Sequence, residues 1–125
     1  MRQRVVTGRT VYEDTRLTLS SAAITIRGYW LPFGITRSIR LDALAKTTLH
    51  DRGDATYARW PRWGRGGAPG TWFPFDSSRP RRGVAVALHL SSGKCVVTTP
   101  ANPTRLASLL SELVVPGEAP AVSAD

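Results

Sequence analysis

His50, His89 and Cys95 carry the side chains most often used in hydrolytic and metal centres. His89 and Cys95 flank the turn Ser91-Ser92-Gly93-Lys94, so a hairpin would set them on adjacent strands, the placement of a Cys–His dyad. No third group that would orient the imidazole can be named. Cys95 also opens the apolar run Cys95-Val96-Val97, where a thiol serves as a small core residue. His89 alternates with apolar neighbours and is expected on the solvated side of its strand. His50, His89 and Asp51 are the donors a zinc ion could use, but their spacing is not that of ligand pairs. Asp51 and Asp54 are neighbours in sequence with no sign of a shared cleft. Gly64-x-Gly66 begins like a phosphate loop. However, Pro69 stands where the third glycine is needed, no Gly-Lys-Ser/Thr follows, and no helix starts there. The chain is therefore expected to be non-enzymatic, with no catalytic residue, no metal and no cofactor.

The remaining chemistry lies in residues 52–82. This stretch has seven arginines against two aspartates, a surplus of five in a chain of net charge +8. It also holds Tyr57, Trp60, Trp63, Trp72, Phe73 and Phe75, six of the ten aromatics. Fifteen of the 17 basic residues are Arg, which a GC-rich genome would scatter evenly; here they are concentrated. Arg stacks on Trp faces and forks onto carboxylates or phosphates, and both types are enriched at binding hot spots. Arg59, Trp60, Arg62, Trp63, Arg65 and Trp72, with Arg79, Arg81 and Arg82, are the candidate binding residues. Two readings stay open. The segment is a surface for an anionic or acidic partner, or it folds back with its Trp side chains as satellite core under Arg stems.

The elements that would position this segment read mainly as β. Leu17 and Leu19 alternate with polar neighbours, Ser20-Ser21 breaks the chain, and Ile24 and Ile26 resume the period through Gly28 to Trp30. Pro32-Phe33-Gly34 punctuates before a third strand bearing Ile35, Ile39 and Leu41, with Arg37 placing it near an edge. Residues 44–51 form a fourth. The Gly- and Pro-rich 52–82 stretch reads as a long loop with a short strand at Trp72–Phe75. Val84–Leu90 and Cys95–Thr99 form a hairpin. Asn102-Pro103 caps a helix whose Leu106, Leu109, Leu110 and Leu113 share one face, and Pro116-Gly117 ends it. The expected organisation is an N-terminal arm at 1–10, one domain at 11–115, and a disordered tail at 116–125.

This order, and the Val84–Leu90/Cys95–Thr99 hairpin running into the Asn102–Leu113 helix, resemble a bacterial pleckstrin-homology-like (PH-like) domain. The Trp60–Phe73 stretch and Arg79-Pro-Arg-Arg are similar to the loop region of that group. The resemblance covers residues 12–113. It implies a partly open antiparallel barrel of about seven strands capped by the C-terminal amphipathic helix, and no catalytic residues. Phosphoinositide-binding relatives carry basic residues around the first hairpin loop, whereas here it is Ser20-Ser21-Ala22-Ala23.

With 125 residues, 42% hydrophobic and 21% charged, the chain fits one globular domain and excludes coiled-coil, collagen-like and globally disordered classes. A single Cys excludes an internal disulfide. The N-terminus lacks the apolar run of a signal peptide, and no stretch is long enough to span a bilayer. The expected function is a binding or scaffolding module that engages a protein partner, including a second copy of itself, through the Arg/Trp loop or a barrel edge. The alternative is peripheral attachment to an anionic membrane surface through the same loop. Nucleic acid is disfavoured, since no recognition motif is present and the aromatics sit in a Gly/Pro loop. The expected location is the cytoplasm, including the inner face of the membrane.

Overall fold

A computed structural model of the chain describes residues 9–30, 35–52, 60–66 and 69–114. Four strands come first: β1 (Thr10–Glu13), β2 (Leu17–Ser20), β3 (Ala23–Trp30) and β4 (Ile35–Arg40), paired antiparallel in chain order. Two side chains set the turns between them. Asp14 Oδ1 accepts from the backbone N–H of Arg16 and Leu17 at 2.8 and 3.1 Å, and Ser20 Oγ accepts from those of Ala22 and Ala23, both at 3.1 Å. Such Asx and Ser turns are why Asp and Ser recur between strands.

A 3₁₀ turn at Leu41–Ala43 leads to β5 (Leu44–Asp51). Next come β6 (Gly64–Arg65), β7 (Thr71–Phe73), a 3₁₀ turn at Arg79–Arg81, β8 (Val84–Leu90) and β9 (Cys95–Thr98). These form a second sheet in the order β5-β8-β9-β7-β6. The fold is thus mainly β, in two open sheets. Two features go beyond the sequence-level expectation. Residues 60–82 supply two short strands, and β7 lies parallel to β9, with Thr71 opposite Cys95. Pro74 follows the end of β7, where its missing N–H breaks no ladder.

α1 (Pro103–Leu113) starts as the sequence requires, with Asn102 Oδ1 accepting from Arg105 N at 3.1 Å and Pro103 in the first turn. It buries Leu106 and Leu110 against β5, β8 and β1. Each fully buried Leu contributes about 2 kcal/mol in apolar transfer. The main core joins both sheets and the helix: Leu17, Leu19, Ile24, Ile26 and Tyr29 meet Val86, Leu88, Val96, Leu106 and Leu110.

The period of two divides the second sheet between two cores. Val86, Leu88 and Val96 face the main core, while Ala85, Ala87, Cys95 and Val97 point the other way and are covered by Trp60 and Phe73. Segment 60–82 therefore returns across the outer face of the sheet. The small side chains at 85 and 87 leave room for two aromatics. The arm expected at 1–10 falls mostly outside the described residues, though Thr10 already begins β1. The Pro32-Phe33-Gly34 break and the 116–125 tail also lie outside them.

Candidate functional site

Among the described residues, a β-bulge builds the most exposed aromatic face. Ile26 pairs with Arg37 and Trp30 with Ile35, so three residues of β3 stand opposite one of β4. Gly28, at φ +68°, absorbs the extra length in a backbone region that favours glycine. Plain alternation from Ile24 and Ile26 would turn Trp30 inward. The bulge turns Tyr29 inward instead and leaves Trp30 41% exposed. Its cross-strand partner Ile35 is 50% exposed.

Three tryptophans from both sheets meet there. The Trp30 and Trp72 rings lie 4.8 Å apart, and Trp63 meets Trp72 edge-on at 5.5 Å. Tyr29 stacks on Trp72 at 6.1 Å from beneath and accepts the Trp72 indole N–H at its carbonyl, 3.4 Å away. Trp63 itself is 38% exposed. Arg37 closes the edge, its guanidinium 5.0 Å from the Tyr29 ring centroid and donating to the phenol oxygen at 2.6 Å. Burial pushes the Tyr29 phenol up, against the pull of Arg37. Arg65 sits opposite Trp72 in the β6–β7 ladder and is exposed, as is Arg62 beside Trp63.

The structure divides the sequence-derived candidates. Trp63 and Trp72 belong to this face, Arg65 is paired opposite Trp72, and Arg62 is exposed next to Trp63 in the chain. Trp60 and Arg79 are interior. Trp60 packs on Phe73 under the Arg52 guanidinium, which lies 4.3 Å from its ring, and its buried indole N–H has no partner among the described residues. Arg79 is 1% exposed. It donates to the Pro61 and Arg62 carbonyls at 2.8 and 3.1 Å and to Thr99 Oγ1 at 3.1 Å. Burial lowers its pKa to about 10, partly opposed by Asp76. Arg81 is exposed on the 3₁₀ turn, and Arg82 is half-buried with its Nε donating to Ser78 Oγ at 3.2 Å. Arg59 lies outside the described residues. So segment 60–82 is satellite core on one side and surface on the other. Sequence reasoning missed Tyr29, Trp30, Ile35 and Arg37, because their place in the face depends on the bulge.

The classical chemistry is placed differently. Cys95 is buried in the outer core cluster. His89 is its cross-strand partner, half-buried rather than fully solvated, with Nε2 2.9 Å from Thr48 Oγ1. Burial, with Lys46 and His50 nearby, lowers the His89 pKa. His50 Nε2 lies 2.7 Å from the same hydroxyl. No group of three His, Cys, Asp or Glu that could hold a metal forms among the described residues. Gly64-x-Gly66 leads into the β6–β7 pair, not into a helix. A cleft of about 550 Å³ is lined by Ser21, Ala22, Leu41, Leu44, Leu113 and Val114, and its charged groups, Arg40 and Asp42, pair with each other at 2.7 Å. No helix among the described residues is long and apolar enough to cross a membrane.

With this geometry in hand, comparison with protein-family models, curated proteins and solved structures finds no match to the chain.

Proposed function

We propose that the chain is a non-enzymatic binding module of PH-like architecture that docks a partner through the Trp30–Trp63–Trp72 face. Seven strands outside segment 60–82 support that architecture: a four-stranded meander, then β5, β8 and β9, closed by a C-terminal helix. The observation that carries the function is the three-tryptophan contact across two sheets, with Trp30, Ile35 and Trp63 well exposed. Monomeric surfaces rarely gather large apolar side chains this way without a binding role. Exposed arginines beside indoles are the residue types that dominate binding energy.

Site-specific photo-crosslinking in cells tests the reading. A benzophenone side chain at position 63 should give discrete adducts, and one at Glu112, exposed on α1, should not. The same pattern from both positions, or neither a protein nor a lipid adduct from 63, would overturn it.

A further inference from the structure

Resting on that reading, we infer that the occupant of the Trp30–Trp63–Trp72 face is the headgroup layer of an anionic lipid bilayer. The first reason is shape. Trp30 ends β3, Ile35 begins β4 and Trp63 immediately precedes β6, so the exposed apolar groups of this face sit at strand termini, while Leu49 is exposed on β5 at the far edge of the second sheet. The cleft lined by Ser21, Leu41, Leu44 and Leu113 shares none of these residues. A rim of side chains at strand ends suits a shallow entry into a layer better than the capture of a peptide in a groove.

The second reason is hydrogen bonding. Trp72 finds an acceptor in the Tyr29 carbonyl, whereas the indole N–H groups of Trp30 and Trp63 have none among the described residues. Headgroup phosphates and ester carbonyls supply acceptors at the depth where Trp is enriched.

The third reason is charge. Arg62 and Arg65 are exposed, and among the described residues the ion pair that forms is Arg40–Asp42, elsewhere on the surface. Residues 60–75 include no Asp or Glu. Asp76, the first acid after them, is buried and bonded to Ser78 and Thr99. Among the described residues the face is therefore apolar, with Arg62 and Arg65 exposed and no Asp or Glu in the stretch that carries them to repel an anionic leaflet.

Co-sedimentation with vesicles of phosphatidylcholine, alone or mixed with phosphatidylglycerol, tests this at low and high salt. Pelleting should require phosphatidylglycerol and weaken with salt. An Arg62→Ala/Arg65→Ala variant should partition about 30-fold less, from roughly one kcal/mol per arginine near the surface. Phosphatidylglycerol with brominated chains should quench Trp emission, and Trp30→Ala/Trp63→Ala should remove that quenching with the circular dichroism unchanged. Equal binding to neutral vesicles, or no pelleting at low salt, would overturn the lipid assignment. If pelleting fails while position 63 still crosslinks to a protein, the binding-module reading stands with a protein partner. If both fail, both are overturned.

Discussion

The Nε–H of Arg79 donates to Thr99 Oγ1 at 3.1 Å, and that hydroxyl donates onward to Asp76 Oδ2 at 2.8 Å. A single buried hydroxyl thus links a buried cation to a buried carboxylate. Asp76 Oδ1 is held in turn by the backbone N–H and hydroxyl of Ser78. The network fastens segment 60–82 to the end of β9, and the tryptophan face rides on that attachment.

Thr99→Val keeps the shape and removes the hydroxyl. Arg79 Nε–H and an Asp76 oxygen then lose their shared partner in a buried site, which costs about 2 kcal/mol. Urea denaturation checks this; a change below about 0.5 kcal/mol, the scatter of ordinary surface substitutions, would show that the link carries no stability.

Arg79 and Arg81 lie two residues apart and carry the same charge, yet they should behave oppositely. Arg79→Ala leaves the Pro61 and Arg62 carbonyls and Thr99 without their donor and empties a buried site, a loss of about 3 kcal/mol or more. Arg81 is exposed, and Arg81→Ala should change stability by less than about 0.5 kcal/mol. Equal effects in thermal unfolding would mean that charge, not burial, governs this turn.

Local rules account for what the sequence made legible. The Asn102 cap, the Leu106/Leu110 stripe and the Ser91–Lys94 turn each depend on contacts within a few residues. The mainly β class and the short strand near Trp72 also follow from period and punctuation. Hidden were the features set by distant contacts. Ala85 and Ala87 alternate like the outer positions of a half-solvated strand, yet Trp60 and Phe73 arrive from far along the chain to bury them. Arg79 reads as surface because nothing local signals Thr99, Pro61 and Arg62 converging on it. Trp30 reads as inward because a bulge at one glycine reverses the alternation.

That glycine supports a prediction about the face. Gly28→Ala places a non-glycine residue at φ +68°, and its Cβ would stand 3.3 Å from Arg16 Nη1. The guanidinium can shift; the backbone strain remains and costs about 1–2 kcal/mol. Arg16 also donates to the Phe75 carbonyl at 3.2 Å, so its displacement loosens sheet one from segment 60–82. Denaturant midpoints should fall, and the Trp emission maximum should move as the Trp30–Trp72 contact relaxes. An unchanged spectrum would separate the bulge from the face.

Asp14 and Tyr12 each make the stability of the fold depend on pH. Tyr12 OH donates to Asp14 Oδ2 at 2.6 Å and accepts from Asn102 N at 3.1 Å, while Ala101 N donates to the same carboxylate at 3.0 Å. The pair therefore joins the β1–β2 turn to the start of α1. Burial alone would raise the Asp14 pKa, but the bond from Tyr12 and the backbone N–H groups of Ala101, Arg16 and Leu17 outweigh it and hold the carboxyl below its ordinary value of 3.8. A depressed carboxylate stabilises the folded state above its unfolded pKa, and that stability is lost as pH falls through the folded value. For Tyr12 the sign reverses. Burial first, then the bond to Asp14, push the phenol from 10.0 to about 12, so its contribution is complete below pH 10.0 and disappears as pH rises through about 12. Tyr12→Phe should flatten the alkaline loss and, by removing the strongest opponent of burial at Asp14, shallow the acid loss as well. Asp14→Asn should flatten the acid limb and lower stability at neutral pH. Urea midpoints measured from acid to alkaline pH check both variants, and an acid limb of unchanged depth in Tyr12→Phe would show that the backbone donors alone set the Asp14 carboxylate.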